Sequence, residues 1–251
     1  MPPHVVMILA IGLGVGFLGG LLGKGGSAIA TPLLVAAGVP AMIAVAAPLP
    51  ATVPGTLVAA DGYRRSGLID KHVVLWSLIA GVPATIVGAI CTRWVSGSLL
   101  VMATDALLVI IGLRLLFGPA GTEGGIVATG SEPRGRIVAV AIGTGLAAGL
   151  LANSGGFLLA PLFIAVLKLP IKPAFGTSLA VAAVLAVPGT IVHLALGHIE
   201  WTVVATFALG SIPMSGLGAR VAMRTDAARL ERGYGVALVL LGAVFLVATL
   251  V

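Results

Sequence analysis

Gly16-Phe17-Leu18-Gly19-Gly20-Leu21-Leu22 is echoed by Gly145-Leu146-Ala147-Ala148-Gly149-Leu150-Leu151, at an offset of 129 positions. Gly26 and Pro32 meet Gly155 and Pro161 at the same offset. Further along, Gly67-Leu68-Ile69-Asp70 answers Gly197-His198-Ile199-Glu200, and Pro83, Gly88 and Gly112 answer Pro213, Gly218 and Gly242, all at 130. Pro54-Gly55-Thr56 matches Pro188-Gly189-Thr190 after a four-residue gap. Ala and Leu coincide by chance in such a chain, whereas ordered glycines and prolines do so far less readily. Self-similarity at a fixed spacing marks a duplicated unit. The chain therefore reads as two repeats, 1–117 and 136–251, joined by a Gly- and Pro-containing linker at 118–135.

The solvent for these repeats follows from composition. Of 251 residues, 59% are hydrophobic and 9% charged, against about a quarter charged in a soluble domain. A mean hydropathy of +1.19 agrees. A soluble fold could not cover so much apolar surface with polar groups, so most of this surface faces lipid. The apolar run from Val5 has no basic segment before it, which disfavours a cleaved signal peptide and keeps it in the mature fold.

Each repeat shows the same series of apolar stretches: 5–22, 26–37, 41–60, 72–91 and 98–117, then 136–152, 156–167, 172–196, 201–222 and 230–250. The last three of each series approach the ~20 residues that cross a bilayer. The second is too short, and a glycine break joins it to the first. The expected fold is an all-α integral membrane protein of two repeats, each a broken or re-entrant helical hairpin plus three transmembrane helices. Loop charge sets the relation between the repeats. Arg64, Arg65 and Lys71 precede the stretch 72–91, whereas Arg220, Arg224, Arg229 and Arg232 lie at and beyond the end of its counterpart 201–222. Equivalent loops then face opposite sides, which makes the repeats inverted. If the opening pair is re-entrant, Arg134, Arg136, Lys168 and Lys172 fall on the same, inner side, with both termini outside.

The chemistry concentrates at the breaks, Gly23-Lys24-Gly25-Gly26-Ser27 and Ala152-Asn153-Ser154-Gly155-Gly156. A broken helix exposes amides that protein, water or ligand must satisfy. Its N-terminus carries about half a positive charge, and glycine lets an anion approach closely. Lys24 adds a full charge, and an unpaired lysine within a membrane is expensive. Lys24, Gly25, Gly26, Asn153, Ser154 and Gly155 are therefore the candidate anion ligands. Glycines at Gly12, Gly14, Gly88 and Gly112 read instead as close-packing positions. Thr177 and Ser178 join the candidate ligands, since their hydroxyls can donate to an oxyanion or return to helix carbonyls. Thr52, Thr56 and Thr190 favour the carbonyl role. Asp105 and His193, ionisable groups inside apolar stretches, are candidates for proton coupling.

The break motifs followed by proline (Gly20 to Pro32, Gly149 to Pro161), Ala174-Phe175-Gly176-Thr177-Ser178-Leu179 and Gly197-His198-Ile199-Glu200-Trp201 resemble the TauE/SafE family of sulfite and organosulfonate exporters. The resemblance spans both repeats. It implies a multi-pass transporter of the inner membrane that moves small, often sulfur-containing anions. Two departures stand out: the family's triple glycine is Gly-Lys-Gly-Gly in the first repeat and Asn-Ser-Gly-Gly in the second, and the first repeat lacks the Gly-Thr-Ser step.

The leading expectation is a transporter of a small anion that binds at the helix breaks near the bilayer midplane and crosses by alternating access, and a channel for a small neutral or anionic solute is the alternative. An enzyme is not expected, because GxSxG, HExxH and paired intramembrane acids are missing. One cysteine, Cys91, and four scattered histidines call for no metal and no cofactor. The expected partners are the anionic substrate and membrane lipid, with a homodimer allowed. The net charge of +6 sits in short loops, which suits anionic lipid rather than nucleic acid.

Overall fold

The computed structural model describes residues 3–23, 27–91, 109–110, 113, 116–117, 132–150, 156–195 and 197–250. Among these there are ten helices and no strand: α1 (Pro3–Leu21), α2 (Ser27–Ala36), α3 (Ala41–Ala46), α4 (Pro48–Arg65), α5 (Lys71–Cys91), α6 (Arg134–Leu150), α7 (Gly156–Ala165), α8 (Ile171–Ala195), α9 (Trp201–Arg224) and α10 (Ala227–Leu250). Among the described residues four segments are long and apolar enough to cross a membrane: Ile43–Arg65, Lys71–Cys91, Ile171–Ala195 and Trp201–Arg224. At 1.5 Å per residue the 21 residues of α5 reach about 31 Å, the thickness of a hydrocarbon core. The third spanning stretch expected of the first repeat, 98–117, lies almost entirely outside the described residues.

Proline sits inside each of the four long helices, at Pro54, Pro83, Pro188 and Pro213. Each removes one backbone donor. Nearby hydroxyls bond back to helix carbonyls: Thr52 to Pro48, Thr56 to Thr52, Thr85 to Gly81, Thr190 to Ala186 and Ser215 to Ser211. Such bonds satisfy a polar side chain where lipid offers no partner. Thr52, Thr56 and Thr190 thus take the carbonyl role expected of them.

Two glycine seams hold the bundle. Along α1, Gly12, Gly16 and Gly20 press on the carbonyls of Phe207, Ser211 and Ser215 in α9, and Gly218 presses on Phe17. Along α6, Gly145 and Gly149 press on the carbonyls of Gly81 and Thr85 in α5, and Gly88 presses on Leu146. A Cβ at any of these positions would run into backbone, so only glycine permits the approach. The seams use residues 129 or 130 apart: Gly16 and Gly145, Gly20 and Gly149, Ser215 and Thr85, Gly218 and Gly88. Each opening helix packs on a helix of the other half. Gly14, by contrast, faces open space among the described residues, so its assignment to close packing is corrected; Gly112 lies outside them.

Contacts along each pair give the helix directions. Gly12, Gly16 and Gly20 step with Phe207, Ser211 and Ser215, so α1 runs parallel to α9; the α6 seam runs parallel to α5 in the same way. Val58 meets Gly216 and Gly62 meets Met223, so α4 is also parallel to α9. Gly176 meets Tyr63 while Gly189 meets Leu49, so α8 is antiparallel to α4. The basic groups therefore gather at one end: Arg64 and Arg65 close α4, Lys71 opens α5, Arg134 and Arg136 open α6, Lys172 opens α8, Arg224 closes α9, and Arg229 and Arg232 open α10. Lys172 Nζ donates to the carbonyl of Met223 at 3.0 Å and so caps α9. Arg134 lies over the ring of Trp76, 5.1 Å from its centroid. His193, His198 and Glu200 occupy the opposite end.

Candidate functional site

Six of the expected ligands, Lys24, Gly25, Gly26, Asn153, Ser154 and Gly155, lie outside the described residues, as does Asp105. Thr177, Ser178 and His193 are described. The flanks of the breaks are also described, and they define the approach to the candidate site.

Gly23 is the last described residue before the first break. Its φ of +62° falls in the left-handed region that favours glycine. Its missing side chain also admits the Phe175 ring at the start of α8. The Ser178 hydroxyl, one helical turn along, donates to the Gly23 carbonyl at 2.8 Å, with the Phe175 carbonyl 2.9 Å away. Thr177 behaves differently. Its hydroxyl oxygen accepts the Asp70 amide at 3.0 Å, and its proton has no acceptor among the described residues. Both hydroxyls are fully buried. The structure thus brings Ser178 against the flank of the first break and Thr177 against Asp70, with the Ser178 hydroxyl committed to backbone and the Thr177 hydroxyl retaining a proton to donate.

Asp70 was not singled out from the sequence, where it reads as a loop charge beside Lys71. It is buried, and its carboxylate accepts the amides of His72 and Val73 at 2.9 and 3.1 Å. It therefore caps α5 and satisfies amides that begin that helix. The only available signal was an acid directly before an apolar run, which is the N-cap pattern.

A cavity of about 20 Å³ lies where α1, α4, α8 and α9 meet, large enough for about one water. Gly16 and Gly19 leave room on one side, and Thr52, Thr56, Ser211 and Ser215 bring hydroxyls to it. Three of these hydroxyls donate to helix carbonyls, whereas Ser211 Oγ is buried without a partner among the described residues. Leu179, the neighbour of Ser178, also lines it. Around Phe175 the phenol oxygens of Tyr63 and Tyr234 are likewise buried without partners among the described residues, the Tyr234 ring standing edge-on to Phe175 at 4.8 Å.

His193 is half-buried at the far end of α8. Its Nδ1 lies 3.3 Å from Nδ1 of His198, a distance at which one ring donates to the other. It stands at the opposite end of α8 from Thr177 and Ser178, so these candidates do not share one cluster.

The chain matches the family described as sulfite exporter TauE/SafE over residues 8–245. It belongs to that family. As a TauE/SafE protein it is a multi-pass membrane protein of a transporter family, and the four apolar spans described above agree with that. It is similar to a probable membrane transporter protein of Xylella fastidiosa (strain 9a5c), 30% identical over 250 residues, covering 91% of this chain and 90% of that one. The probable membrane transporter proteins YunE and YjnA of Bacillus subtilis (strain 168) are 22% and 24% identical; the matches cover 86% and 87% of this chain, and 86% and 91% of theirs. No solved structure matches the chain.

Proposed function

We propose that this TauE/SafE protein is an inner-membrane transporter of a small, sulfur-containing anion of the sulfite, thiosulfate or organosulfonate type. The anion binds between the breaks at 23–27 and 152–156 and crosses by alternating access. The observation that carries the reading is the Ser178 hydroxyl bonded to the Gly23 carbonyl. It supports a site in which Lys24, Gly25 and Gly26 on one side and Thr177 on the other reach the same ligand. An oxyanion wants several donors at once, and a lysine, two glycine amides and a free hydroxyl proton are such a set. Asn153, Ser154 and Gly155 approach from the second break.

Alternating access needs two units that exchange roles on the two sides of the membrane. The antiparallel course of α4 and α8 and the equivalent glycine seams support an inverted pair, 1–117 and 136–251, with the linker 118–135 between them. The basic end of the bundle faces the cytoplasm by the positive-inside rule.

Binding of sulfite, thiosulfate, sulfoacetate, taurine and sulfate to the purified protein, followed by uptake into proteoliposomes, tests the proposal. Saturable, gradient-driven uptake of one of these anions supports it. Uncharged solute flux with no binding of any sulfur oxyanion would overturn it in favour of a channel.

A further inference from the structure

A groove of about 500 Å³ runs between α4 and α9 at the basic end, and it shares no lining residue with the cavity described above. Its apolar length is set by Leu57, Val58 and Met223, with Leu57 54% and Val58 46% exposed. Gly62 and Gly216 keep it open, since a side chain on either would meet Met223 or Val58. At its mouth stand Asp61, Arg65 and Arg220.

The charges there do not balance. Asp61 accepts from both Arg64 and Arg65, each at 2.7 Å, so its carboxylate is fully engaged. Arg220 is exposed and has no ion pair among the described residues. It also lies about one turn inside the end of α9, at the edge of a segment long and apolar enough to cross a membrane. A lone guanidinium at that depth reaches for a phosphate in the headgroup layer, and its planar fork fits phosphate oxygens. We propose that this groove is a binding site for an anionic phospholipid, with an acyl chain along Leu57, Val58 and Met223 and the phosphate held by Arg220 with Arg65. Basic recesses between transmembrane helices hold anionic headgroups in this way.

The test uses the whole protein in nanodiscs made from equal parts phosphatidylglycerol and phosphatidylcholine, with co-purified lipid counted by native mass spectrometry. The parent should retain phosphatidylglycerol selectively, and Arg220→Gln should lower that retention by about fivefold, the loss expected for one basic contact with an anionic surface. Arg229→Gln, on α10 outside the groove, should leave it unchanged. The parent measurement needs no variant, so a misfolded mutant cannot hide a failure. Equal retention of the two lipids by the parent, or equal losses in both variants, would overturn the proposal. So would disulfide-linked dimers formed by Leu57→Cys in a Cys91→Ser background, because a second copy would then occupy the groove.

Discussion

Ser178 and Gly23 meet through a single hydrogen bond of 2.8 Å, from a hydroxyl near the start of α8 to a carbonyl at the end of the α1 turn. It ties the second half of the chain to the edge of the first break. Both groups are buried, so the carbonyl has no water to replace the serine.

Ser178→Ala should therefore destabilise the protein by about 1–3 kcal/mol, the penalty for a buried group left without its partner. Ser178→Thr keeps the hydroxyl and should recover part of the loss. Thermal unfolding in detergent measures both, and an unchanged midpoint for the alanine variant would contradict the bond's role.

Lys24→Met keeps the length and apolar stem but deletes the charge. Loss of one charge-assisted hydrogen bond should weaken anion binding by about ten- to a hundredfold, read by titration of the purified protein. Parent-like affinity would mean that Lys24 is not a ligand and extends to the membrane surface instead.

Asp70→Ala and Thr177→Val separate support from binding. The first removes the α5 cap and should cost about 1 kcal/mol of stability while leaving anion affinity near that of the parent. The second leaves the Asp70 amide without its acceptor and also removes a free hydroxyl proton, so both stability and affinity should fall. Unaltered affinity in Thr177→Val would take that hydroxyl out of the site.

The seams offer a matched comparison. Gly20→Ile and Gly149→Ile each push a branched side chain into facing backbone, and both should cost about 1–3 kcal/mol of stability or more, read as a lower unfolding midpoint. Gly14→Ala, facing open space, should be neutral or slightly stabilising. A Gly14 variant as damaging as the other two would contradict the packing described.

Proton coupling is tested by Asp105→Asn and His193→Gln, with uptake measured in proteoliposomes with and without a pH gradient. Where protons drive transport, loss of the coupling group abolishes the gradient dependence. His193 faces His198, so His198→Gln distinguishes a shared proton from a single site. Full gradient dependence in all three variants would remove these groups from the mechanism.

Helix positions were legible because bilayer thickness sets their length and the glycine breaks punctuate them. The glycine pattern also announced close packing at Gly12 and Gly88. It could not say which helix each would meet, because a glycine records only that something comes near, and Gly14 shows that some record nothing. At the site, the hydroxyls of Thr177 and Ser178 were visible, but their different roles were not. Those depend on Asp70 and Gly23, brought to them by tertiary packing. Ser211 escaped notice because one serine in an apolar helix looks like any other until its partner is missing.

The exchange of opening helices gives the two seams different histories during synthesis. When α6 emerges from the ribosome, α5 is already in the membrane, and the glycines of α6 can close on it at once. The glycines of α1 must wait for α9, made near the end of the chain. Until then the glycine face of α1 can rest on lipid, on its own half or on an insertion factor. A nascent chain stopped at Ala195 has one seam shut and the other still open.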